Sequence, residues 1–331
     1  MREALYYEAR PEGGVFCRLC PQNCFIGAGK TGLCRVRKNY RGKLYTENYA
    51  ACTSLALDPV EKKPLYHFYP GAYLLSLGTW GCNFTCQFCQ NWEIAQARPA
   101  VSELPPATAV ALAVNERRRG NIGLAFTYSE PNVWYEYVLD TAALARQQGL
   151  KTVLVTNGFI NEQPLTELLP VIDALNIDVK AFNDEFYRRL CAGKLADVQR
   201  TVERAAGSCH VEVTTLIIPG LNDRETELAG LAKWLAGIDR EIPLHLSRYF
   251  PNYKLALPPT PPATMNKAYK TVREYLSYVY LGNAGPVGIN TNCPVCGQEV
   301  IDRQKRLNRL TAEKKCPRCG NRIKISGEIK F

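Results

Sequence analysis

Eleven of the fourteen cysteines fall into three tight groups, and this grouping limits the fold more than any hydrophobic pattern does. Thiolates at metal-ligand spacing must converge on one centre, so each group fixes the path of its own segment. The first group is Cys17, Cys20, Cys24 and Cys34 in CRLCPQNCFIGAGKTGLC. The second is Cys82, Cys86 and Cys89 in GCNFTCQFCQNW, a C-x3-C-x2-C spacing. The third pairs Cys293 and Cys296 with Cys316 and Cys319, two CPxCG motifs separated by nineteen residues. The N-terminus, MREALYYEARPEGG, has no apolar core and is not a secretory signal. Clusters of this kind in a cytosolic chain read as metal sites, not disulfides. Cys52, Cys191 and Cys209 are left over and read as small buried apolar residues.

Each group implies different chemistry. A cubane [4Fe–4S] cluster that only carries electrons has all four irons tied by cysteine. Three cysteines on one short loop leave one iron open, and an open position on a metal is where a substrate or cofactor binds. The alternatives are three structural cysteines, or three zinc ligands with a fourth elsewhere. The N-terminal four suit a closed structural zinc site first, and a fully ligated auxiliary cluster second; they do not follow the ferredoxin run C-x2-C-x2-C-x3-C-P. The C-terminal four read as a zinc ribbon, with Gly297 and Gly320 turning the chain after each knuckle. Arg303, Lys305, Arg306, Arg309, Lys314, Lys315 and Arg318 surround it, as a docking surface or simply a solvated face.

The formal charge is +10 with neutral thiols. Two four-thiolate zinc sites and one three-cysteine cluster would lower it to about +5, a mild excess that does not require nucleic acid. No apolar run approaches the length of a bilayer span, so a cytoplasmic protein is expected. Three regions follow: a Cys-rich metal-binding segment over 1–70, a central region over 71–285, and a ribbon tail over 286–331.

The central region carries the fold signal. Apolar, β-branched runs occur at 72–78, 122–127, 152–156, 174–179, 211–218 and 243–249, with helical patterns between most of them. The pattern from Pro131 to Gln148 begins on a proline suited to a first helical position and ends before Gly149. Another runs from Arg224 to Ala236. Strands alternating with helices predict an α/β fold with parallel pairing, here a partial (β/α)6 barrel with ligands at the C-terminal ends of its strands. Residues 277–282 suit a further edge strand.

Those strand ends carry polar residues. The cysteine loop follows the first strand. The second ends Tyr128-Ser129-Glu130, where Glu130 suits a ligand cation or simply a helix N-terminus. The third ends Thr156-Asn157, a pocket wall or a turn. The fourth places Asp178 and Lys180 on one face, an acid for hydroxyls and a cation for a carboxylate. The sixth carries His245. His67 and His210 have no such position.

The strings LDPVEKKPLYHFYPG, GTWGCNFTCQFCQNWEIAQ, FTYSEPNVWYEYV, NIDVKAF, IIPGLND, PLHLSRYFPNYKL and YVYLGN, in this order, resemble the radical S-adenosylmethionine (SAM) protein of the AmmeMemoRadiSam system. That family is a relative of the pyruvate formate-lyase activating enzymes. The resemblance implies a [4Fe–4S] cluster on Cys82, Cys86 and Cys89, with SAM on the open iron. It places the Phe88 backbone at the adenine and Glu130 at the SAM amino group. Lys180 then meets the carboxylate, Asp178 the ribose and His245 the adenosine. Tyr128 and Ser129 replace the glycines of a Gly-Gly-Glu-like segment. It further implies a one-electron donor of flavodoxin or ferredoxin type, Memo-type and AMMECR-type partner proteins, and hydrogen abstraction from a substrate, as in glycyl-radical activation. The rival reading is a non-catalytic iron–sulfur and zinc-ribbon protein that binds RNA.

Overall fold

The structure is a computed structural model that describes residues 1–331. Its centre is one eight-stranded sheet whose strands lie in chain order. β1 (Ser54–Pro59) runs antiparallel to β2 (Tyr73–Gly78). From there β3 (Asn121–Phe126), β4 (Lys151–Thr156), β5 (Ala174–Asp178), β6 (His210–Ile217), β7 (Leu244–Arg248) and β8 (Val279–Gly282) continue in parallel. Helices α1 (Pro106–Asn115), α2 (Tyr135–Gln147), α3 (Glu162–Leu168), α4 (Leu195–Ala206), α5 (Glu225–Asp239) and α6 (Pro262–Arg273) fill the successive crossovers. All six expected strands and the edge strand form. The first and last strands do not pair with each other, so the sheet stays open.

One face of the sheet buries helix side chains, such as Leu228, Leu231 and Leu235 of α5. The other face is covered by the chain between β1 and β2. Val60, Leu65 and Phe68 pack there on Leu74, Ala125, Val153 and Ala174, small or branched residues one per strand. Asn176 of β5 donates to Pro64 O, which fixes this segment across the sheet. The boundary expected near residue 70 therefore falls inside the central body: β1 belongs to the sheet, and the segment after it to the core.

The outer regions are bound to the same body. In the N-terminal segment, Arg37 and Glu136 of α2 form an ion pair in which each side chain is 1% exposed. Arg37 also donates to Leu5 O, and the Leu5 N–H to Glu136. The ribbon shares a small core with Tyr280 of the last strand and Tyr278 just before it, through Val300, Ile301 and Ile323. Three of its cations are bonded, Arg303 across to the central body and Arg309 and Lys314 within the tail, while Lys305, Arg306, Lys315 and Arg318 are exposed. Arg303 donates to Ile289 O and Tyr66 O and lies over the Tyr66 ring, Arg309 pairs with Glu299, and Lys314 bonds Ile325 O and Gly327 O. No helix is long and apolar enough to cross a membrane.

Candidate functional site

The parallel strands end around a cavity of about 350 Å³. Its wall joins Lys62 and Lys63 after β1, the cysteine loop after β2, Thr127–Glu130 after β3 and Thr156–Asn157 at the end of β4. Asp178 at the end of β5, Lys180 just beyond it, Thr214 and Leu216 of β6 and Ser247 of β7 complete it. Contributions from strands so far apart in the sheet require the sheet to curve around this space. The three cysteines, Phe88, Tyr128, Ser129, Glu130, Thr156, Asn157, Asp178 and Lys180 all line this one cavity.

The cysteine loop is held from all sides. Gly81 takes φ +89°, and a Cβ there would stand 2.6 Å from Cys34 O and 2.5 Å from Val36 Cγ1. The loop needs glycine at this point because the N-terminal segment presses on it. Asn83 Nδ2 donates to Phe159 O (2.7 Å), while Thr85 and Gln87 N–H groups reach Cys191 O and Leu190 O. The Lys254 N–H closes the far side on Gln87 O. All three thiols are free. Burial raises the Cys82 thiol and pushes Cys89 up to about 11, so both keep their protons until a metal displaces them.

Glu130 is 3% exposed. Its Oε1 accepts from Thr156 Oγ1 (2.6 Å) and Asn132 N (3.0 Å), and its Oε2 from Asn157 N (2.8 Å). The helix-terminus reading is realised, since Asn132 lies in the short turn before α2. A carboxylate offers about four acceptor positions, so one stays free toward the cavity. Burial raises Glu130 to about 7 against these hydrogen bonds.

Tyr128 stands where a glycine was expected, and it adopts φ +69°. That left-handed conformation costs about 1–3 kcal/mol in a non-glycine residue and needs enforcement. Its hydroxyl donates to Asp58 Oδ2 (2.7 Å), and Asn91 Nδ2 donates to its carbonyl (2.6 Å). The glycine-like path is therefore kept, with the ring swung onto β1. Asp58 also receives Lys63 Nζ at 2.8 Å. Burial raises its carboxyl, but the bonds from Lys63 and Tyr128 outweigh this and hold it below the ordinary range. Lys63, itself 3% exposed, Asp58 and Asn91 carried no role in the sequence reading. Only the LDPVEKKP string pointed to the first two.

Lys180 Nζ bonds Asp178 Oδ2 at 2.7 Å, so acid and cation enter the wall as a pair. Burial lowers the Lys180 ammonium, yet the Asp178 charge outweighs it and raises it overall.

His245 is a correction. It shares a sheet face with Ser247 but lies one step deeper, and it does not line the cavity. Its Nε2 donates to Glu212 Oε2 (2.6 Å), and Tyr66 packs edge-on against its ring. All three histidines in fact gather here: His210 Nε2 and the His67 N–H reach Glu212 Oε1, and the Tyr66 N–H reaches Oε2. Alternation gave the right face but not the depth.

Comparison with known proteins identifies the domain around this site. The profile of the radical SAM superfamily matches residues 78–232, from the end of β2 into α5. A Methanocaldococcus jannaschii protein, MJ0808, uncharacterised itself, is 42% identical over 337 residues, covering 98% of this chain and 99% of its own. The chain carries a radical SAM domain. The Escherichia coli pyruvate formate-lyase 1-activating enzyme is 26% identical over 152 residues, 43% of this chain and 60% of that enzyme. Streptococcus suis SuiB bound to S-adenosylmethionine shares the fold, with a TM-score of 0.53 at 12% identity over 64% of this chain and 53% of its own.

A radical SAM domain implies SAM and a [4Fe–4S] cluster, and the cavity fits both. Three unbridged thiols face one space, and Ser129 Oγ on its wall is buried without any hydrogen-bond partner. An orphaned buried hydroxyl costs about 1–3 kcal/mol until something bonds it. At the other end of the chain the ribbon sulfurs all lie within 4.8 Å of one another.

Proposed function

We propose that the protein is a radical SAM enzyme of the activating-enzyme type, with Cys82, Cys86 and Cys89 holding its cluster. The arrangement that carries this reading is the three-cysteine loop set in one cavity with Glu130, Ser129 and the Asp178–Lys180 pair. When bound, cluster and SAM supply an electron-triggered 5′-deoxyadenosyl radical, and that chemistry is the cofactor's own.

The chain's residues bind and orient. Glu130 offers its free acceptor position to the SAM amino group, which then keeps the carboxylate ionised. Ser129 Oγ gains the partner it lacks. Lys180 meets the SAM carboxylate and Asp178 the ribose, each exchanging part of its present bond for one to the ligand. The Phe88 backbone lies against the adenine. Lys63, fixed by Asp58, gives the opposite rim a cation suited to an anionic substrate group. The curved sheet is a partial (β/α)6 barrel, closed at its base by residues 60–71. The C-terminal four cysteines hold zinc, and the N-terminal four a second metal centre.

A one-electron donor of flavodoxin or ferredoxin class feeds the reaction. The strings at Leu57–Gly71 and Pro243–Leu255 support membership of the AmmeMemoRadiSam group, which makes Memo-type and AMMECR-type proteins the partner class. The substrate is then a residue on a partner protein or a small molecule. RNA binding is the weaker reading, because the radical SAM match and the cysteine-lined cavity account for the chain without it.

The test is anaerobic reconstitution with SAM and a strong reductant. The wild-type protein is expected to release 5′-deoxyadenosine, and Cys86→Ala to release none. A fully loaded wild-type protein that leaves SAM intact would refute the assignment.

A further inference from the structure

We propose that Cys17, Cys20, Cys24 and Cys34 hold a second, fully ligated iron–sulfur cluster that passes electrons to the three-cysteine site. The acceptor in this proposal rests on the function argued above; the identity of the metal does not.

Sulfur spacing separates the two metals. Zinc with 2.3 Å bonds brings its four sulfurs to about 3.8 Å from one another. The ribbon meets this: Cys293 and Cys319 are 3.5 Å apart, Cys296 and Cys316 are 3.6 Å apart, and all four fall within 4.8 Å. It is the one cysteine group in the chain that gathers so closely. Neither the N-terminal four nor Cys82, Cys86 and Cys89 brings three sulfurs mutually within 4.8 Å. Four irons between the thiolates, instead of one ion, require a wider stance.

The N-terminal four still face one centre. They line a single cavity of about 20 Å³, walled by Leu19, Ile26 and Val133. One water needs about 10–15 Å³, so a gap remains between these sulfurs and they do not close on one point as the ribbon's do. Arg37, paired with Glu136, turns Nη1 to 3.7 Å from Cys17 Sγ and gives that sulfur a charged hydrogen-bond donor. Four cysteines leave no iron open, which suits electron transfer and not ligand binding.

The position suits a relay. Asn83 follows Cys82 in the chain and lines this second cavity. Its Oδ1 accepts from Asn157 Nδ2 (2.8 Å), which also lies 3.7 Å from Cys82 Sγ. Gln22, between Cys20 and Cys24, donates to Asn83 O at 2.9 Å. The two sites share a wall of one residue's thickness. On the outer side Cys24 is partly exposed, and its neighbour Phe25 is 62% exposed, so electrons have a short way in. One electron from a ferredoxin- or flavodoxin-class donor reduces this cluster and then moves to the other; no bond is made or broken.

The deciding material is the full-length Cys82→Ala/Cys86→Ala/Cys89→Ala variant, purified and reconstituted without oxygen. Metal and sulfide analysis with Mössbauer spectroscopy should find about four irons and one zinc per chain, the spectrum of a single cubane. Two zincs and no iron would overturn the proposal. In a Cys20→Ser/Cys34→Ser variant that retains the other cluster, reduction by ferredoxin should be lost while reduction by a strong chemical reductant persists. Undiminished reduction by ferredoxin would overturn the relay. Failure of SAM cleavage leaves the metal count of the triple variant unchanged, so the two readings fail separately.

Discussion

Glu130→Gln isolates the most perturbed acid in the cavity. Burial raises this carboxyl from 4.5 to about 7 despite three hydrogen bonds. Between those two values the unfolded chain has lost a proton that the folded chain keeps. The unfolded state then binds fewer protons, so stability falls as pH rises through this window and the full penalty is present above pH 7. At 1.36 kcal/mol per unit the penalty is roughly 3 kcal/mol. For a chain of this length the unfolding entropy scales to about 0.7 kcal/mol/K, so the penalty is worth roughly 5 °C in melting temperature. Glutamine does not titrate. It loses one hydrogen bond at every pH, because its amide nitrogen must face a donor, and this offset is constant. The prediction is therefore about the difference between the curves. Measured by circular dichroism under nitrogen at pH 5 and pH 8 without SAM, wild type should lose roughly 5 °C more than Glu130→Gln. Adding SAM should reverse the ranking at pH 8, since its ammonium keeps Glu130 charged; calorimetry should give the variant a tenfold or greater loss in affinity, about 1.5–3 kcal/mol for a hydrogen bond to a charged group. Parallel pH profiles for the two proteins would refute the assignment of the burial penalty to Glu130.

Three further substitutions test other parts of the account. Gly81→Ala should lower the melting temperature and the iron content together, because its Cβ meets Cys34 O and Val36 at about van der Waals overlap in a left-handed backbone position; unchanged iron would mean the contact yields freely. Glu212→Gln leaves a buried donor unmatched among His67, His210, His245 and Tyr66 and should cost about 3–5 kcal/mol in a chemical-denaturation series, with SAM affinity per loaded cluster unchanged. A selective loss of SAM affinity would restore His245 to the binding site. Cys316→Ala should remove one zinc and lower the melting temperature while the absorbance of the Cys82–Cys89 cluster persists.

What was legible in the sequence depended on how local the signal was. The C-x3-C-x2-C loop, the strand-end polar residues and the parallel strands all follow from spacing within a few residues, and each lies where its period places it. β1 escaped because Ser54–Pro59 is half exposed and its partner face is supplied only by β2. The depth of His245 escaped for a related reason. Period-2 alternation fixes which face a side chain takes, whereas the partners that hold His245, Glu212 and Tyr66, come from other strands and segments far away in sequence. Lys63 and Asp58 lay unassigned in LDPVEKKP because their meaning depends on Tyr128, seventy residues beyond Asp58. The grouping of the cysteines could be read from the chain, but the spacing between sulfurs exists only once the chain has folded.

The base of the sheet explains why so many unlike pieces belong to one chain. Glu212 sits there with no exposure, and burial raises its carboxyl while His210 and His245 outweigh that and hold it well below the ordinary range. A buried carboxylate with four donors is costly to assemble and rigid once complete. Two of those donors are the Tyr66 and His67 N–H groups, so the network pins the segment that runs from β1 to β2. That segment carries Lys63 at one end, on the cavity rim, and at the other end pairs with the ribbon through Phe68–Ser326 and the Ser326 N–H to His67 O. Arg303 completes the tie over Tyr66. The C-terminal cysteine group thus belongs to a module that holds the floor on which the cavity rests. Its contribution to activity is expected to run through the position of Lys63 and Asp58, without contact with SAM or substrate.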